Sequence, residues 1–169
     1  MAMYITSTKL GVDFNNAGAT QLFALGETCM GSDGSMWQYV NAATTVSAYS
    51  VVAVNTSGTM QMAVLGDVNT SVGNFLAIAQ IAFAPSEYGW VPIHGGPSAS
   101  TGFKVKVSGS ATLGLSLYLA TSSGNISTTA AVSATLKGIT LVTATEAWLG
   151  VTTPQVIMTW PRVNTNGGG

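Results

Sequence analysis

Charge is scarce in this sequence of 169 residues, of which only 7% are Asp, Glu, Lys or Arg. Typical soluble domains contain about 25% charged residues. The net charge at pH 7 is −1, so the chain lacks the basic surface that attracts nucleic acids or anionic membranes, and we expect neither as a partner. Because a net charge near zero promotes association, this composition favours a protein that packs against other copies of itself.

Long apolar runs are also missing, although 47% of the residues are hydrophobic. The most apolar stretch extends from Phe75 to Ala84 and is interrupted by Gln80. It is far shorter than the ~20 residues of a membrane-spanning helix. Residues 1–9 lack the charged segment and the apolar run of a secretion signal. The sequence therefore predicts a protein made in a cytoplasm, without a membrane anchor.

Residue types that carry catalysis or bind metals are few. The single cysteine, Cys29, excludes an intrachain disulfide, and the single histidine, His94, excludes a zinc site with two histidines from one chain. No nucleophile elbow or phosphate-binding loop is present. A hydrolase would need two of the scattered carboxylates in one cleft, about 5 to 10 Å apart. We therefore expect no enzymatic activity, no cofactor and no metal.

Short runs of alternating apolar and polar residues recur at intervals of roughly ten residues from Ala19 onward, which is typical of a β-sandwich or barrel. Such runs cover residues 60–64, 103–107, 115–119 and 156–160, and each indicates a half-buried strand. Turn residues rich in Gly, Asn, Asp and Ser separate the runs.

The sequence therefore predicts an all-β fold, with a single barrel or sandwich-like domain of short antiparallel strands and at most one or two short helices. Residues 128–136 are compatible with a helix, a strand or a loop. In the last strand, the pattern places Val156, Met158 and Trp160 on one buried face. Pro92 cannot donate to a strand ladder, so its strand should lie at a sheet edge or contain a bulge.

The chain divides into an N-terminal arm (residues 1–16), a β-rich domain (17–163) and a flexible tail (164–169). The arm is polar, with a few apolar anchors. Ordering such a segment costs about 1 kcal/mol or more per residue in backbone entropy, which a partner surface can offset. We expect the arm to be mobile in the isolated protein and to order along a neighbouring subunit. An ordinary frayed terminus is the alternative.

Aromatic residues at strand spacing are candidates for a functional surface. Trp37 and Tyr39 share one face of a predicted strand, and Tyr88, Trp90 and His94 share one face of another. Three interpretations remain open: core packing, anchors at an interface, and platforms for stacking sugars. Together with the apolar residues of the arm, the candidate interface residues are Tyr4, Leu10, Phe14, Trp37, Tyr39, Tyr88, Trp90 and His94.

Two stretches of the sequence resemble a known family. Residues 23–42 contain a Leu-Gly strand, a Gly-x-Asp-Gly hairpin and a Trp-x-Tyr-Val strand. Residues 76–80 end in Ala-Gln, and residues 87–95 contain Tyr-Gly-Trp-Val followed by Gly. This combination, over roughly residues 22–150, resembles the capsid decoration (cement) proteins of tailed bacteriophages. Ala77 and Ile78 depart from the Gly and Val that are more usual there.

The resemblance implies a mostly-β virion protein, usually a homotrimer, that binds the outer capsid surface at threefold or quasi-threefold positions. It would clamp neighbouring capsomers and stabilise the expanded capsid. Its partners would be the major capsid protein and its own copies, and it would be made in the cytoplasm of the host bacterium. None of these proteins is an enzyme.

A receptor- or carbohydrate-binding β-domain of a phage fibre is the alternative function. Such a domain would stack sugars on exposed aromatic rings, and its candidate platforms are Trp37, Tyr39, Tyr88 and Trp90.

Overall fold

The chain is all-β, as predicted. The computed structural model describes residues 4–5, 10–63, 75–96, 102–108, 113, 116–120, 124–127, 135–142 and 154–164. These residues contain no helix, and so no helix among them is long and apolar enough to cross a membrane. The strands are β1 (Tyr4–Ile5), β2 (Leu10–Val12), β3 (Thr28–Met30), β4 (Met36–Ala42), β5 (Val51–Val54), β6 (Thr59–Met62), β7 (Phe75–Ile78), β8 (Tyr88–Gly95), β9 (Phe103–Lys104), β10 (Leu117–Leu119), β11 (Ile126–Ser127), β12 (Thr135–Leu141) and β13 (Gln155–Asn164).

Eleven of these strands form one sheet in the order β11-β10-β12-β13-β8-β4-β6-β5-β7, with β3 paired to β4 and β9 paired to β13. The sheet is mixed because β4 and β6 run parallel, which corrects the expectation of purely antiparallel strands. The described strands do not close into a barrel. Instead, β7 packs against β8 and β13. The architecture is therefore that of a sandwich-like domain.

The central strands bury both of their faces because two hydrophobic cores lie on opposite sides of them. Trp37 and Tyr39 of β4 belong to the first core, whereas Val40 and Ala42 belong to the second. All four residues of Val51–Val54 are buried, with Val51 and Ala53 in the first core and Val52 and Val54 in the second. The first core also contains the inward-facing residues of β10 to β13.

The strand that contains Pro92 carries a bulge and is not at an edge. β4 and β8 pair Met36 with His94 and Trp37 with Pro92, so that Ile93 is the extra residue. This agrees with the missing N–H of proline. The edge interpretation is wrong, because β8 lies between β4 and β13.

The last strand departs from its predicted alternation. Val156 and Met158 are completely buried, but Trp160 is 58% exposed. A bulge between β12 and β13 turns this ring out of the core, as described below. Of the segment that was compatible with a helix, Thr135 and Leu136 begin β12, and residues 128–134 lie outside the described residues.

The N-terminal segment is shorter than the predicted arm. β1 and β2 pair in a separate two-stranded sheet, and Val12 and Phe14 are buried in the first core. The domain therefore begins before residue 16, and these two side chains already have partners within their own subunit. At the other end, β13 includes Asn164, and residues 165–169 lie outside the described residues.

Candidate functional site

Most of the aromatic candidates gather into one cluster inside the first core. The ring of Phe14 stacks on Trp37 with centroids 4.4 Å apart and meets Trp90 edge-on at 5.7 Å. The ring of Tyr39 lies 5.2 Å from that of Trp90 and stacks with Tyr88 at 6.3 Å. Favourable aromatic pairs contribute about 0.5–1.5 kcal/mol beyond their area burial. The cluster therefore holds β4, β8 and the N-terminal segment together.

This packing corrects the candidate interface. Phe14, Trp37, Tyr39 and Trp90 are each at most 4% exposed, so they can serve neither as surface anchors nor as sugar platforms in the folded subunit. Their arrangement agrees with the first interpretation, in which the aromatic residues pack in the core. The physical reason is that a second layer covers this face of the sheet, which the alternation of a strand does not reveal.

The other four candidates have different positions. Tyr88 and His94 are partly exposed, and the ring of His94 lies 5.5 Å from that of Trp160. Tyr4 and Leu10 lie in β1 and β2, and their side chains are outside the described part of the chain.

A polar network that extends from the core to the surface fixes the orientation of Trp37. Its indole Nε1 donates a hydrogen bond to Ser35 Oγ at 2.8 Å. The hydroxyl of Ser35 in turn donates to Asp33 Oδ1 at 2.5 Å, and the same oxygen accepts the Ser35 N–H at 3.0 Å. The predicted turn between β3 and β4 therefore also supplies the acceptor that a buried tryptophan requires.

A surface cleft of about 180 Å³ opens beside the aromatic cluster. We call it the Leu22 cleft, because Leu22 lines it and is 74% exposed. Its lining also includes Asp13, Tyr39, Tyr88 and Trp90. The N–H of Leu22 donates to the hydroxyl of Tyr39 at 3.1 Å, which fixes the position of the loop. Among the described residues that line the cleft, Asp13 is the one charged residue.

A second surface feature is created by the bulge between β12 and β13. The register shifts between Lys137 and Ile139, so that Gly138 alone opposes residues 159–161. Gly138 and Trp160 both have a left-handed backbone, with φ of 76° and 53°. For a residue with a side chain, this conformation costs roughly 1–2 kcal/mol.

The exposed tryptophan forms one wall of a groove of about 220 Å³, which we call the Trp160 groove. Its lining residues are Phe75, Leu76, Ile93, Trp160, Pro161 and Arg162. Ligand pockets usually have volumes of about 300 Å³ or more. The groove is therefore of a size to accept one side chain or one ring, and its lining is mainly apolar.

One basic residue, Arg162, lines this groove, and a second, Lys137, is its cross-strand neighbour. Lys137 and Arg162 are directly opposite each other across β12 and β13, and both are exposed. Like charges that face each other across a sheet are destabilising. No acidic residue is present among the lining residues of the groove, so an acidic partner at this position would relieve the repulsion.

Within the described ranges, no group of three or more His, Cys, Asp or Glu residues gathers in a way that could hold a metal ion. The Leu22 cleft contains one carboxylate, that of Asp13, and the Trp160 groove contains none. Neither cavity therefore brings together the two carboxylates on which a hydrolase alternative depends.

The surface features of Leu22 and Trp160 were missed by the reasoning from sequence. For Trp160 a signal was available, because Pro161 follows it within a strand pattern and proline in a strand often marks a bulge. For Leu22 no local signal distinguishes an exposed leucine from a buried one.

Comparisons with models of protein families, with characterised proteins and with solved structures find no match for this chain. Its function must therefore be inferred from the arrangement of its own residues and from the resemblance in its sequence.

Proposed function

We propose that this chain is a structural virion protein that binds the outer surface of a bacteriophage head as a homotrimer. It clamps neighbouring capsomers, stabilises the expanded capsid and has no enzymatic activity. The observation that carries the proposal is the placement of the two stretches that resemble decoration proteins. Although they are distant in sequence, their strands β4 and β8 pair side by side over Met36–Asn41 and Tyr88–His94.

The paired strands also contribute to one core. Trp37 and Tyr39 come from the first stretch and Trp90 from the second, and all three are buried in the same cluster. The residues that carry the resemblance to decoration proteins therefore lie together at the centre of the fold. This arrangement supports a resemblance of architecture.

The surface provides a second, independent support. Few residues of the chain are charged, and several large apolar side chains are exposed. These are Leu22, Met30, Leu113 and Trp160. Exposed aromatic and aliphatic side chains on a surface with little charge are typical of a subunit that functions within an assembly.

Stabilisation would follow from mass action. A protein that binds the assembled lattice, but not its separated subunits, lowers the free energy of the lattice by the binding free energy at each site. A trimer can contact several capsomers at once, and after the first contact the others form at a high effective concentration. No chemical step is needed for this function.

The test is co-sedimentation of the purified chain with expanded, empty shells of the major capsid protein from the same phage genome. We expect saturable binding and an increase in the temperature at which the shells disassemble. Unexpanded shells provide the matched control, to which binding should be weaker. A folded chain that does not sediment with expanded shells at micromolar concentration would contradict the proposal.

A glycan array examines the alternative function, because specific sugar binding without shell binding would favour a fibre domain.

A further inference from the structure

We propose that three copies of this chain join head to tail, with Leu22 of one copy seated in the Trp160 groove of the next. In the same contact, the carboxylate of Asp13 faces Arg162 and Lys137. This inference rests on the homotrimer of the proposed function and identifies the surfaces through which it forms.

The apolar surfaces of the two sites complement each other. Leu22 and Trp160 are the two most exposed large hydrophobic side chains within the described residues, at 74% and 58%. Leu22 lines a cleft, and Trp160 lines a groove that has room for a single side chain. Placing Leu22 in the groove removes both side chains from water, which is the main driving force of protein association.

The charges of the two sites are also complementary. The sequence has only five basic residues; one of them, Arg162, lines the Trp160 groove, and another, Lys137, lies opposite Arg162 across β12 and β13. The carboxylate of Asp13 is exposed at the Leu22 cleft. A contact that brings Asp13 to the two cations replaces a repulsion by an attraction, and charge complementarity of this kind fixes the orientation of partners.

The positions of the two surfaces allow the contact to repeat. Tyr88 lines the Leu22 cleft and Ile93 lines the Trp160 groove, so the surfaces lie toward opposite ends of β8. Five residues of strand separate these positions by about 17 Å. Each copy therefore offers one surface to its neighbour on each side, and a head-to-tail contact closes into a ring when the rotation permits.

The strained backbone of Trp160 is consistent with a role at an interface. A left-handed conformation is rare for an aromatic residue and persists only where the surrounding structure imposes it. Here the bulge opposite Gly138 imposes it and holds the ring on the surface. The bulge thus fixes the side of the sheet from which the indole is presented.

A charge-reversal cycle tests the contact, with the oligomeric state measured by sedimentation velocity over a range of concentrations. Asp13→Lys and Arg162→Glu each place like charges at the interface, and we expect each to raise the concentration needed for half-assembly at least about tenfold. The double variant restores one opposite pair but leaves Lys137 in place, so we expect it to recover part of the lost assembly. Leu22→Ser and Trp160→Ala should each weaken the trimer as well.

The matched control for Arg162→Glu is Lys104→Glu, which causes the same change in net charge at an exposed residue that lines neither surface. We expect it to remain trimeric.

Asp13 Oδ1 also accepts the N–H of Asn15 at 2.9 Å. Asp13→Asn is therefore a second variant, because it retains an acceptor for this turn and removes only the charge. It should weaken the trimer without lowering the melting temperature of the subunit.

Trimers that are insensitive to either single reversal overturn the inference, as does a double variant that assembles no better than the single variants. A wild-type chain that is monomeric or dimeric overturns it too. Shell binding by the same variants separates this contact from the proposed function. If the wild-type chain binds shells but its trimer is insensitive to the charge reversals, only the proposed contact is rejected. An Arg162→Glu variant that stays trimeric but no longer binds shells also rejects it, and assigns the groove to the major capsid protein. Failure of wild type to bind shells rejects the proposed function itself.

Discussion

Gly138 and Trp160 face each other across the bulge between β12 and β13, and both adopt left-handed backbone conformations. A side chain at position 138 would meet the carbonyl oxygens of Thr159 and Trp160. Glycine therefore permits the two strands to approach closely, and the resulting bulge turns a tryptophan from the core to the surface. The Trp160 groove thus depends on a residue that has no side chain.

Gly138→Ala should destabilise the subunit more than Gly34→Ala. Both glycines have a left-handed backbone, with φ of +76° and +81°, but an added Cβ has open space at Gly34 and meets backbone at Gly138. We expect a loss of about 1–2 kcal/mol for Gly34→Ala from the backbone alone. Gly138→Ala should lose more, because β13 must also shift. Urea unfolding of the two variants measures the difference, and equal losses would show that the close approach is unimportant.

Two buried serines should respond in opposite ways to replacement by alanine. Ser35→Ala removes the hydroxyl that accepts the Trp37 indole N–H and should cost about 1–3 kcal/mol, because a buried donor loses this hydrogen bond. The hydroxyl of Ser50 is buried and has no hydrogen-bond partner among the described residues, so Ser50→Ala should leave the free energy of unfolding unchanged or increase it. Thermal and urea unfolding test both variants. A Ser50→Ala variant that loses more than about 1 kcal/mol would contradict this prediction.

Phe14→Ala should lower the free energy of unfolding by about 3–5 kcal/mol, as is usual when a buried phenylalanine is truncated. The ring is 2% exposed and packs on both Trp37 and Trp90. A truncation that removes residues 2–14 should be destabilised at least as much. The matched control is a truncation of residues 2–9, which retains Val12 and Phe14 and should melt at a higher temperature. If the two truncations melted at the same temperature, residues 10–14 would contribute nothing to the stability of the domain, as the predicted arm requires.

The thiol of Cys29 should be protected from a thiol reagent in the native protein, since the residue is buried in the first core. Reaction with an aromatic disulfide reagent should be complete in 6 M guanidinium, and slow and limited by opening of the structure in buffer. Cys29→Ser in the presence of reagent provides the blank. Rapid stoichiometric labelling of the native protein would show that β3 detaches readily from β4.

The all-β character and several turns were predictable from the sequence because their causes are local. Alternation along residues 103–107 depends only on the period of a strand, and Phe103, Val105 and Val107 are buried as it predicts. Gly34 and Gly58 adopt the positive φ that tight turns need. The bulge at Pro92 follows from the absence of a single N–H group.

The location of the candidate site could not be predicted in this way. The spacing of Trp37 and Tyr39 correctly places both rings on one face of β4, but the same spacing fits a core, an interface or a sugar platform. Which of these applies depends on whether another layer covers that face. Phe14, distant in the chain, supplies part of this cover. Similarly, the parallel pairing of β4 with β6 results from long-range chain topology.

The sequence by itself determined that this chain forms short strands joined by glycine-containing turns, because both depend on neighbouring residues along the backbone. Only the tertiary structure decided that Trp37, Tyr39 and Trp90 lie inside and Trp160 outside. Burial is a property of how layers and strand registers fit together. A single bulge opposite Gly138 is sufficient to reverse the side on which an aromatic ring lies.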